Sequence, residues 1–462
     1  MKKGTQLLLT SLLCLAGLNA MAERPNIILC MSDDQGWGDV AYNGHPVLRT
    51  PHLDQMSKEG MRFDRFYSTS PVCSPTRAGV LTGRHPYRHG VPFANVGKLK
   101  AEEITLPEVL RAQGYATGHF GKWHLGSLTT KIKDGHRGRP GNTATYSPPW
   151  ENGYDECFVA ESGVHTYHLA GNYEKLGTHY WTGLDQMVPA AEISGDDSTL
   201  MMDRALPFIE RATEADTPFL AVIWFHTPHQ PVLSAPPYTD GYDEHKDYYG
   251  CMTAMDEQIG RLRAKLKELG VEDNTMLWFC SDNGPTKVKN SWGSTGGLRR
   301  GKRSLYEGGV RVPGLLIWPQ RIEQPRVVSM PCSTSDYFPT ILDLLGLQLP
   351  DRPYDGISLM PLIKGMMTER PKPLAFESSF TMREANMGDP SINQTALIDQ
   401  HYKIYSKGSG STYELYDMIA DPSEKKNIAK QYPEVVQRMR ATIETWRQSC
   451  QDSAQGKDYI QK

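Results

Sequence analysis

The chain of 462 residues lacks a C-x-x-C pair, an extended basic run, an internal repeat and a low-complexity tract. The lack of such a pair argues against a zinc ribbon. The formal net charge is −3, and losing Lys2 and Lys3 with a leader would make it more acidic. A mildly acidic chain without basic runs argues against nucleic acid as the main partner. Past residue 22 no apolar stretch is long enough to span a bilayer. Cysteine is scarce, with eight in all. Cys14 falls in the leader, which leaves Cys30, Cys73, Cys157, Cys251, Cys280, Cys332 and Cys450. Export would permit disulfides, but six candidates besides Cys73 fix no pairing. Cys30 and Cys280 sit in apolar runs and are expected to be simply buried.

Residues 1–22 read as a secretory signal. Lys2 and Lys3 open it, Leu7 to Leu18 form a short apolar run, and Ala20-Met21-Ala22 closes it as a cleavage site. The mature protein is therefore expected to be exported, periplasmic or secreted. Its length and mixed composition fit one large domain, over 23–370, and a smaller one, over 371–462.

Apolar runs alternate with helix signals, the pattern of an α/β fold. Ile27 to Met31, Phe219 to Phe225 and Met276 to Cys280 read as buried strands. Thr50-Pro51 opens a helix that stops at Gly60. Thr105 to Glu108 carries a capping box. Ile259 to Leu269 has helical spacing. Residues 130–200, rich in Gly, Pro, Tyr and His, read as long loops over a site. From about Pro371 short strand-like runs precede a helix at Tyr432 to Gln448, the texture of a small antiparallel domain.

Chemistry follows the strands. Asp33-Asp34 comes after the first, His226 and His229 after the second, Asp282-Asn283 after the third. Ligands of open α/β sheets bind beyond the carboxyl ends of strands. Asp33, Asp34, Asp282 and Asn283 form an all-oxygen set suited to calcium or magnesium and not zinc. A lone Asp-Asn-Gly is more often a turn. Lys122 with His124, and Lys302 in Gly301 to Ser304, add cations, though each alone reads as a solvated loop. Cys73-Ser74-Pro75-Thr76-Arg77 places a thiol at a helix start if Pro75 opens the helix. Backbone N–H groups favour negative charge there, and Arg77 lies one turn on.

C-x-P-x-R followed by Ala78 to Arg84 resembles the signature of the type I sulfatases, secreted carbohydrate sulfatases of bacteria in particular. The other motifs match that family in order, including Tyr413 to Asp417 ahead of Asp421-Pro422; Thr76 stands where serine is commoner. The resemblance implies an alkaline-phosphatase-like α/β/α sandwich, with the small C-terminal antiparallel-sheet domain and terminal helix. It implies sulfate monoester hydrolysis through formylglycine made from Cys73 by a formylglycine-generating enzyme. Calcium would be held by Asp33, Asp34, Asp282, Asn283 and modified Cys73. Arg77 would steady the nucleophile and His124 orient it. Lys122, His229 and Lys302 would hold sulfate or the leaving oxygen, with Ser162 and His226 as further substrate contacts. The expected substrate is a sulfated saccharide, a galactose or N-acetylgalactosamine bearing 4-O-sulfate. Tyr146, Trp150, Tyr154, Tyr167, His165, His168 and Tyr173 offer a surface for its ring. A broad arylsulfatase, a phosphoester or phosphonate hydrolase of the same superfamily and a non-catalytic sugar-binding relative are the alternatives.

Overall fold

Every residue of Asn26–Ser32 is buried, because this run of apolar side chains lies at the centre of a sheet covered on both faces. The computed structural model describes residues 24–171, 175–286, 292–379, 393–408, 410 and 412–459. The leader at 1–22 and Tyr173 lie outside the described residues.

Among the described residues the largest sheet has ten strands. They are β1 (Asn26–Ser32), β2 (Met61–Phe63), β4 (Ala116–Lys122), β5 (Glu156–Ala160), β6 (Tyr180–Gly183), β7 (Gln186–Met187), β8 (Phe219–Trp224), β9 (Thr275–Ser281), β11 (Gly314–Ile317) and β12 (Arg326–Val328). Their order across the sheet is β12-β2-β11-β9-β1-β8-β4-β5-β6-β7. The middle is parallel: β1 pairs with β8 and β9, and β4 with β8 and β5. A small second sheet joins β10 (Arg311–Val312), β3 (Phe66–Tyr67) and β13 (Cys332–Ser333).

Alternation along β1 divides the core. Ile27, Leu29 and Met31 face one apolar layer, Ile28 and Cys30 the other. Helices Cys73–Thr82, Leu106–Ala112 and Tyr337–Leu344 pack into the first layer. Pro51–Glu59, Asp197–Glu214 and Lys246–Glu268 pack into the second. This is the α/β/α sandwich.

The C-terminal part is an antiparallel sheet of β14 (Leu374–Ser379), β15 (Asn393–Asp399), β16 (Tyr402–Lys407) and β17 (Glu414–Asp417). Leu397, Ile404 and Leu415 pack on Met439 and Ile443 of the terminal helix Pro433–Ala454. Phe376, Ala396 and Ile398 on the other face meet Tyr67 and Leu305 of the sandwich.

Three local expectations change. The helix at the C-x-P-x-R motif starts at Cys73, not Pro75, capped by Val72 in extended geometry. The helix expected from Ile259 starts at Lys246, because its first turns carry Tyr, Gly and Cys and hide the periodicity. Residues 130–200 are not all loop: β5 to β7 extend the sheet edge there and a long helix opens at Asp197. Those strands are short, and antiparallel pairing at an edge requires little apolar run.

Candidate active site

Four parallel strands end side by side. β1 ends at Ser32, β9 at Ser281, β8 at Trp224 and β4 at Lys122. Asp33, Asp282, Phe225 and Trp123 follow, so the polar clusters of the sequence emerge along one edge of the sheet. Asp34 has φ +68, a left-handed turn that lets neighbouring carboxylates converge where strand geometry would send them to opposite faces. Gly284 N donates to Gly309 O at 3.0 Å. A Cβ at Gly284 would lie 1.9 Å from Gly308 O, so glycine is required for the Lys302 loop to close against Asp282-Asn283.

The cluster is buried and highly charged. Asp33 Oδ2 accepts from Lys122 Nζ at 2.5 Å and lies 3.6 Å from Arg77 Nη2. Arg77 Nη2 donates to Asp282 Oδ2 at 2.7 Å. Asp34 Oδ1 accepts from Lys302 Nζ at 2.5 Å and from Asn283 Nδ2 at 2.7 Å. His229 Nε2 lies 4.0 Å from Asp34 Oδ2, while its Nδ1 donates to Gln230 O at 2.6 Å. Ligand atoms of Asp33, Cys73 and Asp282 lie within 4.8 Å of one another, as do those of Asp33, Asp34 and His229.

Burial raises the Asp33 carboxyl, but Lys122, His229, Arg77 and Lys302 outweigh it and hold it well below the usual range. Asp282 is pushed up to about 7, by burial first and then by Asp33, despite Arg77. Burial would lower Lys302, yet Asp34 and its neighbours hold it above its ordinary value. Burial lowers His229 to about 4 although Asp33 opposes it, and burial followed by Lys122 and other cations holds His124 well below its ordinary value. Burial pushes the Cys73 thiol up, against Lys122 and Lys302. A protonated thiol is a poor nucleophile.

The donor set fits a hard cation. Asp33 Oδ1 and Asn283 Oδ1 are buried without a hydrogen-bond partner, which is costly unless something else satisfies them. Three carboxylates beside an amide oxygen supply oxygen ligands of the calcium type.

Not every candidate joins this cluster. His226 is fully buried and its Nδ1 faces Asp197 Oδ2 at 3.1 Å. Asp197 heads a long helix, so His226 ties that helix to β8 rather than facing the carboxylates. Ser162 Oγ meets Thr178 Oγ1 at 3.4 Å; its neighbour Gly163 is the residue packed on His229. Tyr154 is buried against His119 and Trp123, so it cannot face a sugar. Trp150 Nε1 donates to Tyr146 Oη at 3.4 Å, and Tyr167 packs edge-on against His168. The reading of the sequence missed Asn95, whose Oδ1 accepts from His124 Nε2 at 2.6 Å. Nothing in its surroundings, Phe93 to Gly97, signals this. None of the seven described cysteines is paired.

A sheet with a parallel middle between helix layers, with polar residues gathered past its carboxyl edge, defines an α/β/α sandwich of the alkaline-phosphatase-like class. A family model for sulfatase matches residues 25–347, and one for the C-terminal part of N-sulphoglucosamine sulphohydrolase matches residues 300–449. The chain belongs to the sulfatase family and is a sulfuric ester hydrolase. It is 35% identical over 390 residues to N-acetylgalactosamine-6-sulfatase of Canis lupus familiaris, covering 80% of this chain and 72% of the relative. It is 31% identical over 478 residues to arylsulfatase A of Homo sapiens, covering 93% and 89%. The crystal structure of Ps i-CgsB in complex with k-i-k-neocarrahexaose superposes with a TM-score of 0.79 at 26% identity, covering 93% of this chain and 94% of that one.

Proposed function

We propose that this enzyme removes sulfate from a galactose or N-acetylgalactosamine residue of a sulfated saccharide, outside the cytoplasm. The observation that carries the reading is the position of Cys73. It heads a helix, buried, with its Sγ among Asp33 and Asp282 and under the charge of Lys122 and Lys302. Conversion of Cys73 to formylglycine would supply a hydrated aldehyde as nucleophile, and calcium on Asp33, Asp34, Asp282 and Asn283 would neutralise the ester's charge.

The chain's own residues do the rest. Lys122 and Lys302 place two ammonium groups where sulfate oxygens gather. Arg77, pinned by Asp282, fixes the helix that carries Cys73. His124 donates from Nε2 to Asn95, which leaves Nδ1 unprotonated. That nitrogen is buried without a partner, ready to accept a hydroxyl proton. His229 carries its hydrogen on Nδ1, so Lys302 is the group that keeps a proton beside the leaving oxygen.

The named relatives move the expected position from 4-O toward 6-O, since N-acetylgalactosamine-6-sulfatase is among them. No helix among the described residues is long and apolar enough to cross a membrane.

The test uses protein matured with a formylglycine-generating enzyme. Peptide mass spectrometry is expected to show the mass loss of conversion at Cys73. A panel of 4-O- and 6-O-sulfated galactosides and N-acetylgalactosaminides is then compared with an aryl sulfate and an aryl phosphate by kcat/KM. Preference for the aryl sulfate over every sugar would overturn the saccharide reading. Full activity with Cys73 unmodified would overturn the nucleophile.

A further inference from the structure

Beside Lys302 a cavity of about 740 Å³ lies between the loop at 298–306 and the C-terminal sheet. Its size is that of a ligand site, about 300 to 1,000 Å³. Arg300 and Arg303 line it together with Lys302, which Asp34 holds, and the carboxylate of Glu414. Glu414 is already engaged, accepting from Tyr306 Oη at 2.7 Å and Tyr416 Oη at 2.6 Å. Among the described residues neither Arg300 nor Arg303 has a carboxylate within ion-pair distance.

A solvated basic loop would be free to move, and this one is tied down. Arg300 and Arg303 have φ of +66 and +71, a region that large side chains keep only where their surroundings impose it. Arg303 N donates to Pro71 O at 2.8 Å, two residues from Cys73, and Lys302 N donates to Pro285 O at 2.9 Å. From the other side Gln394 of β15 accepts from Leu305 N at 2.8 Å and donates to Arg303 O. The Tyr306 and Tyr405 rings, 4.0 Å apart, form the wall. Two exposed guanidinium groups on this restrained backbone, without a carboxylate partner among the described residues and beside aromatic rings, suit an anionic sugar, as guanidinium binds sulfate and carboxylate in a fork.

We propose that this cavity is an anion subsite, which holds a sulfate or carboxylate on a neighbouring sugar while the ester to be cleaved sits at Cys73. The proposal rests on the saccharide sulfatase reading above and names its substrate as a polyanionic oligosaccharide.

The double variant Arg300→Asn/Arg303→Asn tests it, because asparagine tolerates positive φ. Matured wild type and variant are compared on N-acetylgalactosamine 6-sulfate and on a chondroitin sulfate tetrasaccharide. The ratio of kcat/KM on the tetrasaccharide to that on the monosaccharide is expected to fall roughly tenfold in the variant. Arg300→Asn alone lowers it less. Sodium chloride should lower the wild-type ratio more steeply than the variant's. An unchanged ratio overturns the subsite. If neither sugar is turned over, the preceding reading falls and calorimetric titration with the tetrasaccharide decides the subsite by itself. Weaker binding by the double variant supports it, and equal binding overturns it.

Discussion

Asp33 and Asp336 are both fully buried aspartates beyond the end of a strand, and they are treated in opposite ways. Asp336 is complete. Its Oδ1 accepts from Arg370 Nη2 at 2.7 Å and Ile357 N at 2.8 Å; its Oδ2 accepts from Arg370 Nη1 and Ser333 N, both at 2.7 Å. Asp33 puts one oxygen against Lys122 and Arg77 and leaves the other with no partner. At the seam between sandwich and C-terminal sheet the buried charges are also paired with charges of opposite sign. Lys403 there lies 2.9 Å from Glu307 and 3.0 Å from Glu424, all buried. Asp336, which serves the fold, has both oxygens satisfied. Buried charge left unmatched at a strand end marks the place where a ligand completes the count.

The sharpest way to break this contrast is one substitution on each side. Asp33→Asn is expected to lower kcat/KM by about 1,000-fold or more, since it removes a metal ligand and the partner of Lys122. Its melting temperature without calcium should fall less than that of Asp336→Asn, because relief of the like charges at Asp34 and Asp282 offsets part of the loss of Lys122's partner. Asp336→Asn should do the reverse. It weakens the bidentate pair and leaves Arg370 buried with a neutral partner, a change on the scale of about 3 to 5 kcal/mol. Urea melts read that loss, and activity per folded molecule should hold. If Asp33→Asn unfolds the protein while Asp336→Asn abolishes turnover, the contrast is wrong.

Calcium removal is the next largest effect. A ligand that binds only the folded state stabilises it by mass action, about 2.7 kcal/mol at a hundredfold excess over Kd. Chelation should therefore lower the wild-type melting temperature by several degrees and stop turnover, and calcium should restore both. In Asp33→Asn chelator and calcium should make little difference. A zinc-replete, calcium-indifferent wild type would contradict the all-oxygen site.

The contrast also explains what the sequence made legible. The core strands β1, β8 and β9 are buried on both faces, so they read as unbroken apolar runs. Each hands its next residues to the site, which is why Asp33, Asp34, Asp282 and Asn283 could be grouped by position alone. Asn95 could not, because one hydrogen bond to His124 across 29 residues leaves no local pattern. His226 stood beside His229 in sequence and still faces Asp197, since a two-proline loop does not fix which histidine turns inward. Arg300 and Arg303 looked like a solvated loop. Their restraint comes from Pro71 and Gln394, which are distant in sequence. The edge strands β6 and β7 were too short and too polar to register.

The smallest effect tests whether the seam is as settled as its pairing implies. His85 is fully buried there, edge-on to Trp446 at 4.7 Å. Burial lowers its imidazole to about 3, with Asp355 opposing. The unfolded chain takes up that proton near pH 6.5. Between these values the unfolded state holds more protons, so the stability His85 contributes is complete above pH 6.5 and drains away as pH falls toward 3. The slope from one such group is at most about 1.4 kcal/mol per pH unit. His85→Asn keeps a capping side chain at the start of Pro86–His89 and removes the titration. Urea melts at pH 6.5, 5.5 and 4.5 should show a shallower loss of stability in the variant than in wild type. Parallel curves would mean that the seam opens to water before it unfolds, and its buried ion pairs would then not be what holds the two sheets together.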